Sequence, residues 1–239
     1  VTFSPVTPAR GLFVAFEGGD GAGKSTQARL LAASLRSAGH EVLLTREPGG
    51  TPVGEKLRSL VLDHGHGVID ARTEALIFAA ARAAHVAQAI EPALARGEVV
   101  VTDRYIGSSI VYQGVGRGLG PDAVRGLNEW ATGGLWPDLT VLLDVDESEG
   151  RARRTAQETS EDRLESEPDA FHRDVREAFL DLAAAQPDAY LVLDGRRDPA
   201  WLAEEILTAV LGALEARTAA VPPAAVPRAA VPPTAGERG

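Results

Sequence analysis

Residues 17–26, EGGDGAGKST, follow directly on the apolar run 12–16, LFVAF, and fit the pattern G-x-x-x-x-G-K-[ST] at Gly18, Gly23, Lys24 and Ser25. Few folds accommodate such a stretch. A short, wholly apolar run reads as a buried strand, and a helix is expected to open at Lys24. Between them the glycines let successive N–H groups curl round an anion at the positive end of that helix. Gly18, Gly19, Asp20, Gly21, Ala22, Gly23, Lys24, Ser25 and Thr26 thus form an expected phosphate cradle. Lys24 would reach the outer phosphates, and Ser25 would offer its hydroxyl to Mg²⁺.

Four more apolar runs, 41–45, 99–102, 139–144 and 190–194, alternate with longer helix-like segments. Continuous rather than alternating hydrophobicity predicts strands buried on both faces. The βαβ rhythm predicts an α/β fold, a five-stranded parallel sheet flanked by helices, with its site on loops at the strand C-termini. At 239 residues and 44% hydrophobic the chain supports one sizeable core. The expected organisation is a short lead over 1–10, a single domain over 11–215, and a tail over 216–239. The tail is rich in Ala, Val and Pro, repeats AAVP three times, and reads as extended and flexible.

Helical spacing over 24–38 rests on Ala28, Leu31, Ala32 and Leu35, with Gly39 as the stop. The turn TREPGGT at 45–51 breaks both regular structures and projects Arg46 and Glu47, beside Pro48, toward the phosphate edge. A short helix over 55–62 carries Arg58. An Ala-rich helix over 70–96 is patterned on Leu76, Ile77, Ala80 and Ala84, and it places Phe78 and Arg82 on one face. The run 99–102 closes on Asp103, suited to hold Mg²⁺ opposite Ser25. Arg104, Ser108, Ser109, Tyr112 and Gln113 follow as a dense polar set, then a Gly-rich loop over 114–120 containing Arg117.

A helix over 147–156 bears Arg151, Arg153 and Arg154 and runs into an acidic stretch with no apolar period, containing Arg163. Such a segment is either disordered or a lid. Three arginines in four residues favour a mobile lid over about 151–167. Amphipathic helices are expected over 169–185 and 199–214, the last packing Trp201, Leu202, Ile206 and Leu207 inward.

Charge narrows the partners. The formal net charge is −10, and the tail from Arg217 carries three Arg and one Glu, so the rest of the chain stands at −12. A surface this acidic is not built for nucleic acid, and any phosphate must meet a local cluster of cations. Cys is absent, which excludes disulfides and thiolate metal sites. The five His are scattered, and His64 and His66 read as surface residues. No run has the length of a membrane span, and residues 1–10 lack a signal pattern, so a soluble cytoplasmic protein is expected.

Taken together, EGGDGAGKSTQ, TREPGGT, the Phe78/Arg82 pair, DRYIGSSIVYQG with GRGL, PDLTVLLDV and DRLE resemble bacterial thymidylate kinase over residues 11–214. The resemblance implies a P-loop nucleoside-monophosphate-kinase fold and a homodimer. It also implies Mg²⁺-assisted transfer of the γ-phosphoryl group of ATP to dTMP, giving dTDP without a covalent intermediate, in dTTP biosynthesis. By the same resemblance Gly18–Ser25 would hold the ATP phosphates, and Asp20 would reach the 3′-hydroxyl of dTMP. Arg46 and Arg104, with Glu47, Pro48 and Arg58 nearby, would hold the acceptor phosphate. Phe78 would stack on thymine, Arg82, Ser108, Ser109 and Gln113 would line or read its edge, and Tyr112 would pack under the deoxyribose. Some members carry a catalytic Arg in the phosphate loop where this chain has Gly21, so the missing charge is expected from Arg151, Arg153, Arg154 or Arg163. Val111, where Ala is common, would tighten the sugar pocket, and Phe179 stands where Tyr is frequent.

Other readings share parts of the pattern. A deoxynucleoside kinase would phosphorylate a sugar hydroxyl and need a carboxylate base. A guanine-reading switch needs N-K-x-D, yet the only Asn is Asn128, and the L-S-G-G-Q segment of transporter ATPases is absent. A non-catalytic P-loop nucleotide-binding protein would bind nucleotide and form no dTDP.

Overall fold

The computed structural model describes residues 10–156 and 162–220. The expected lead up to residue 9, the middle of the expected lid and most of the expected tail lie outside the described residues. Five strands, β1 (Phe13–Glu17), β2 (Val42–Arg46), β3 (Val99–Asp103), β4 (Leu139–Asp144) and β5 (Tyr190–Asp194), form one wholly parallel sheet in the order β2-β3-β1-β4-β5. Around it run α1 (Lys24–Ser37), α2 (Pro52–Leu62), α3 (Ala71–His85), α4 (Glu91–Ala95), α5 (Ile106–Ser109), α6 (Pro121–Thr132), α7 (Glu147–Ala156), α8 (Asp169–Ala185) and α9 (Pro199–Ala220). A π-helical turn, Val86–Ile90, joins α3 to α4, and another, Ile110–Gly116, prolongs α5 into the expected Gly-rich loop.

Successive side chains of a strand point to opposite faces, and β1 divides its residues accordingly. Val14 and Phe16 pack with Leu31 and Leu35 of α1 and Ile206 and Val210 of α9. Phe13 and Ala15 pack on the other face with Ile90, Leu94 and Tyr105. The central strands are buried on both sides. The edge strands β2 and β5 are mostly half-buried, because an edge has a neighbour on one side only.

On α3 the residues of the helical pattern do not face inward as a set: Leu76 is 57% exposed, whereas Glu74, Phe78, Arg82 and His85 are buried. A helix turned by one position presents a different stripe, and here polar residues satisfied by partners hold the inner one. On α9, Leu202 and Ile206 are buried while Trp201 lies at the surface under Arg197. That helix also continues to Ala220, into the segment expected as tail; Arg217 is tied there to Asp138 at 2.6 Å.

Parallel pairing brings the C-terminal ends of three strands together: Phe16 is level with Asp103, and Asp103 with Arg46. The chain crosses to one side of β1 for β2 and β3 and to the other for β4 and β5. The crevice at such a reversal is where open parallel sheets bind ligands.

Candidate active site

That crevice is a cavity of about 860 Å³. The loop from β1 to α1 forms its floor. Gly23 provides no side-chain cap for α1, so the first N–H groups of the helix remain for a ligand. Lys24 lies across the loop, its Nζ donating to the carbonyls of Gly18 at 3.0 Å and Gly19 at 2.7 Å. Burial, then the adjacent Arg104, push the Lys24 ammonium down to about 8, against the pull of Asp20 and Asp103. The Ser25 hydroxyl hydrogen-bonds the carboxylate of Asp103 at the mouth of this loop. Two hard oxygen donors side by side match what Mg²⁺ takes beside nucleotide phosphates.

Arg104 joins the two halves of the cleft. It sits just past β3 with φ 69, an unusual conformation for a residue with a side chain. Its Nη1 donates to Gly18 O at 3.2 Å and Ser108 Oγ at 2.9 Å, and its Nη2 pairs with Asp20 Oδ1 at 2.5 Å. Tyr112 hydroxyl donates to Asp20 Oδ2 at 2.9 Å. Burial alone would raise the Asp20 carboxyl, but Arg104, Lys24 and Tyr112 together hold it well below the usual carboxylate range. Behind them Glu17, 1% exposed, accepts from the backbone N–H of Tyr105 and Ser108, each at 3.0 Å, and from Ser108 Oγ at 2.6 Å. Burial raises its carboxyl above the ordinary value despite those bonds.

Beyond Arg104 lies a second cationic group. Arg46 pairs with Glu55 at 2.9 Å, and Arg58 donates to Pro48 O at 3.0 Å, past the cis Glu47–Pro48 peptide. Burial, then the nearby Arg46, lower the Arg58 guanidinium, against the pull of Asp162 and Glu55. Phe78, Ser109 and Gln113 line the adjoining wall. Arg82 is 2% exposed and heavily engaged: Nε with Glu47 at 2.6 Å, Nη1 with Ser109 at 3.0 Å and with Asn128, Nη2 with Tyr105 O at 3.0 Å. These bonds use four of its five N–H donors, leaving one on Nη2.

The four candidate arginines after β4 separate. Arg154 donates to Asp20 O at 3.0 Å and Arg153 to Gly195 O at 3.0 Å, and both line the cavity. Arg151 turns away to Asp169 at 2.9 Å. Arg163 is bound elsewhere, to buried Glu74 at 2.6 Å and Val61 O at 2.9 Å. Neither of the last two reaches the phosphate loop. Leu164 and Glu165, next in sequence to Arg163, nevertheless line the cavity. Val111 is packed in the core behind Tyr112 rather than against the cavity.

Sequence reasoning missed several contributors. Glu74 gathers Gln113 at 2.9 Å, Arg117 at 3.2 Å and Arg163, a role that no local pattern around a single Glu announces. The loop Gly195, Arg196, Arg197, Asp198, Pro199 forms the far wall beyond α1, where Gln27 Nε2 donates to Pro199 O at 2.9 Å. Its position after a strand of a parallel sheet was the available signal.

A family model described as thymidylate kinase matches residues 16–206. A thymidylate kinase of Clavibacter michiganensis subsp. michiganensis is 52% identical over 198 residues, 83% of this chain and 93% of the relative. One from Cutibacterium acnes is 52% identical over 204 residues, 85% of this chain and 98% of the relative. The crystal structure of thymidylate kinase from Ehrlichia chaffeensis superposes with a TM-score of 0.69 at 32% identity, covering 84% of this chain and 99% of that one.

Proposed function

The chain belongs to the thymidylate kinase family, and from that premise we propose that it transfers the γ-phosphoryl group of ATP to dTMP, giving ADP and dTDP. The observation that carries this reading is the pair of cationic groups in one cleft: Lys24 with the phosphate loop on one side, Arg46, Arg58 and Arg104 on the other. One group serves a donor triphosphate, and the other an acceptor that is itself a phosphate.

The acceptor oxygen of a monophosphate is already anionic, so the protein's task is to align two polyanions and offset charge as it moves. Lys24 and the α1 N-terminus hold the donor phosphates. Ser25 and Asp103 would hold Mg²⁺, which draws charge from the phosphate oxygens. Arg104 and Arg46 position the acceptor phosphate, and Arg154, with Arg153, supplies the charge that Gly21 does not. Asp20, kept ionised by Arg104, is placed to accept from the sugar 3′-hydroxyl, and Phe78 with Ser109, Gln113 and Arg82 flanks the base. The loop 195–199 holds the donor base.

The acceptor-side carboxylate Glu47 is already engaged, by Arg82 and His85. That argues against a deoxynucleoside kinase, which needs a base at a neutral hydroxyl. Val53, Leu60 and Leu76, exposed on α2 and α3, fit a homodimer, and the protein is read as cytoplasmic; no helix among the described residues is long and apolar enough to cross a membrane. The test is a panel of acceptors with ATP and Mg²⁺. Turnover of dTMP above dUMP, with thymidine, dCMP and AMP inert, supports the reading; thymidine as the better acceptor rejects it.

A further inference from the structure

His85 is a fully buried histidine that has no part in the chemistry above. It ends α3, one turn past Arg82, and lies beneath the 46–51 turn. Its Nδ1 is 2.9 Å from Glu47 Oε1 and its Nε2 is 2.7 Å from Thr45 Oγ1. A carboxylate only accepts, so Nδ1 carries a hydrogen, and in the neutral ring Nε2 accepts from the Thr45 hydroxyl.

The two residues it grips are those on either side of Arg46. In extended chain, alternate side chains share a face, so Thr45 and Glu47 point down to the ring and Arg46 points away from it. Gly50 closes the turn over the same ring: with φ +76, a Cβ there would stand 2.5 Å from Nε2. Arg46 itself is about half exposed, with one charged partner, Glu55. A long exposed side chain with so little around it takes its aim from its backbone.

We propose that His85 is a positioning residue for the acceptor phosphate: by pinning Thr45 and Glu47 it sets the backbone from which Arg46 reaches into the cleft. The inference rests on the acceptor-site reading of Arg46. Without the ring, Thr45 and Glu47 lose their shared partner, and the buried Glu47 carboxylate is left to Arg82 alone. The acceptor side of the cleft then loosens while the phosphate loop, on another strand, stays as it is.

The test is steady-state kinetics on His85→Leu, His85→Asn, Thr45→Val and Arg46→Gln, each first checked for a cooperative thermal transition. His85→Leu is expected to raise the KM for dTMP about tenfold, leaving the KM for ATP and kcat within about twofold. His85→Asn keeps an N–H near the place of Nδ1 and should recover most of the loss. Thr45→Val, which cuts the other bond without touching the ring, should raise the same KM about threefold. A folded His85→Leu with an unchanged dTMP KM, or with both KM values rising together, overturns the positioning role. If the His85 variants do not fold, Thr45→Val decides by the same split. An unchanged dTMP KM in Arg46→Gln rejects the acceptor-site reading itself; a raised one there, beside an unchanged one in His85→Leu, rejects the role of His85 alone.

Discussion

Gly21 and Gly150 meet backbone to backbone. A Cβ on Gly21, at φ +81, would stand 2.2 Å from the carbonyl oxygen of Gly150, and one on Gly150 would stand 2.4 Å from the carbonyl oxygen of Asp20. The phosphate loop and α7 touch with no side chain between them, and this closeness is what brings Arg154 to Asp20. At Gly21 the loop is thus covered by the backbone of α7, and Arg154 of that helix donates to the Asp20 carbonyl at 3.0 Å.

Adding a methyl at this contact should therefore impair catalysis. Gly150→Ala is expected to push α7 from the loop and lower kcat roughly 10- to 100-fold, since misplacing a charged group by about 1 Å has that effect. A coupled ADP-release assay on a variant of unchanged circular dichroism checks it. Gly21→Ala should be worse, because its backbone conformation also disfavours a side chain.

The arginines after β4 should divide by location. Arg154→Gln is expected to lower kcat by about 100-fold or more, as loss of a transition-state charge does. Arg151→Gln, whose parent pairs with Asp169 in solvent, should stay within about twofold. Single-turnover rates with saturating ATP and dTMP separate the two. Equal losses would refute the assignment.

Alkaline pH should weaken ATP capture before it weakens turnover. Lys24 is charged below its pKa of about 8 in the free enzyme, depressed by burial and by Arg104, and loses its proton as pH rises through that value. Bound phosphates favour the charged form, so its pKa rises in the complex. The expected result is that kcat/KM for ATP falls above about pH 8 while kcat holds to higher pH, because the first reports free enzyme and the second the complex.

Glu74 should matter to stability more than to chemistry. It is fully buried and pairs with Arg163 at 2.6 Å and Arg117 at 3.2 Å. Glu74→Ala leaves Arg163 without its carboxylate and Arg117 with Glu167 alone, at 2.6 Å, at an expected cost of about 3 kcal/mol. Urea denaturation checks the magnitude, and a loss below about 1 kcal/mol would show that the arginines find other partners.

Much of the architecture was legible because it depends on local rules. Apolar runs of four to six residues separated by helical stretches place the parallel strands to within a residue, and G-x-x-x-x-G-K-S with the Asp103 strand end marks the edge where the cleft lies. The inner face of α3 was not legible. Leu76, Ile77, Ala80 and Ala84 follow helical spacing as well as Glu74, Phe78, Arg82 and His85 do, and hydropathy favours the wrong set. Only the presence of Glu47, Asn128, Gln113 and Arg163, all distant in sequence, makes burial of the second set favourable.

By itself, then, the sequence determined the phosphate loop, the strand order of events along the chain and the residue types available at each strand end, since these follow from spacing and backbone preference. Tertiary structure alone decided which arginines line the cleft beside the loop, that His85 is enclosed, and why Gly21 must remain a glycine. Those outcomes depend on what stands opposite in space: an ion pair, a buried bond or a van der Waals contact is a property of two residues, and the chain order carries only one of them at a time.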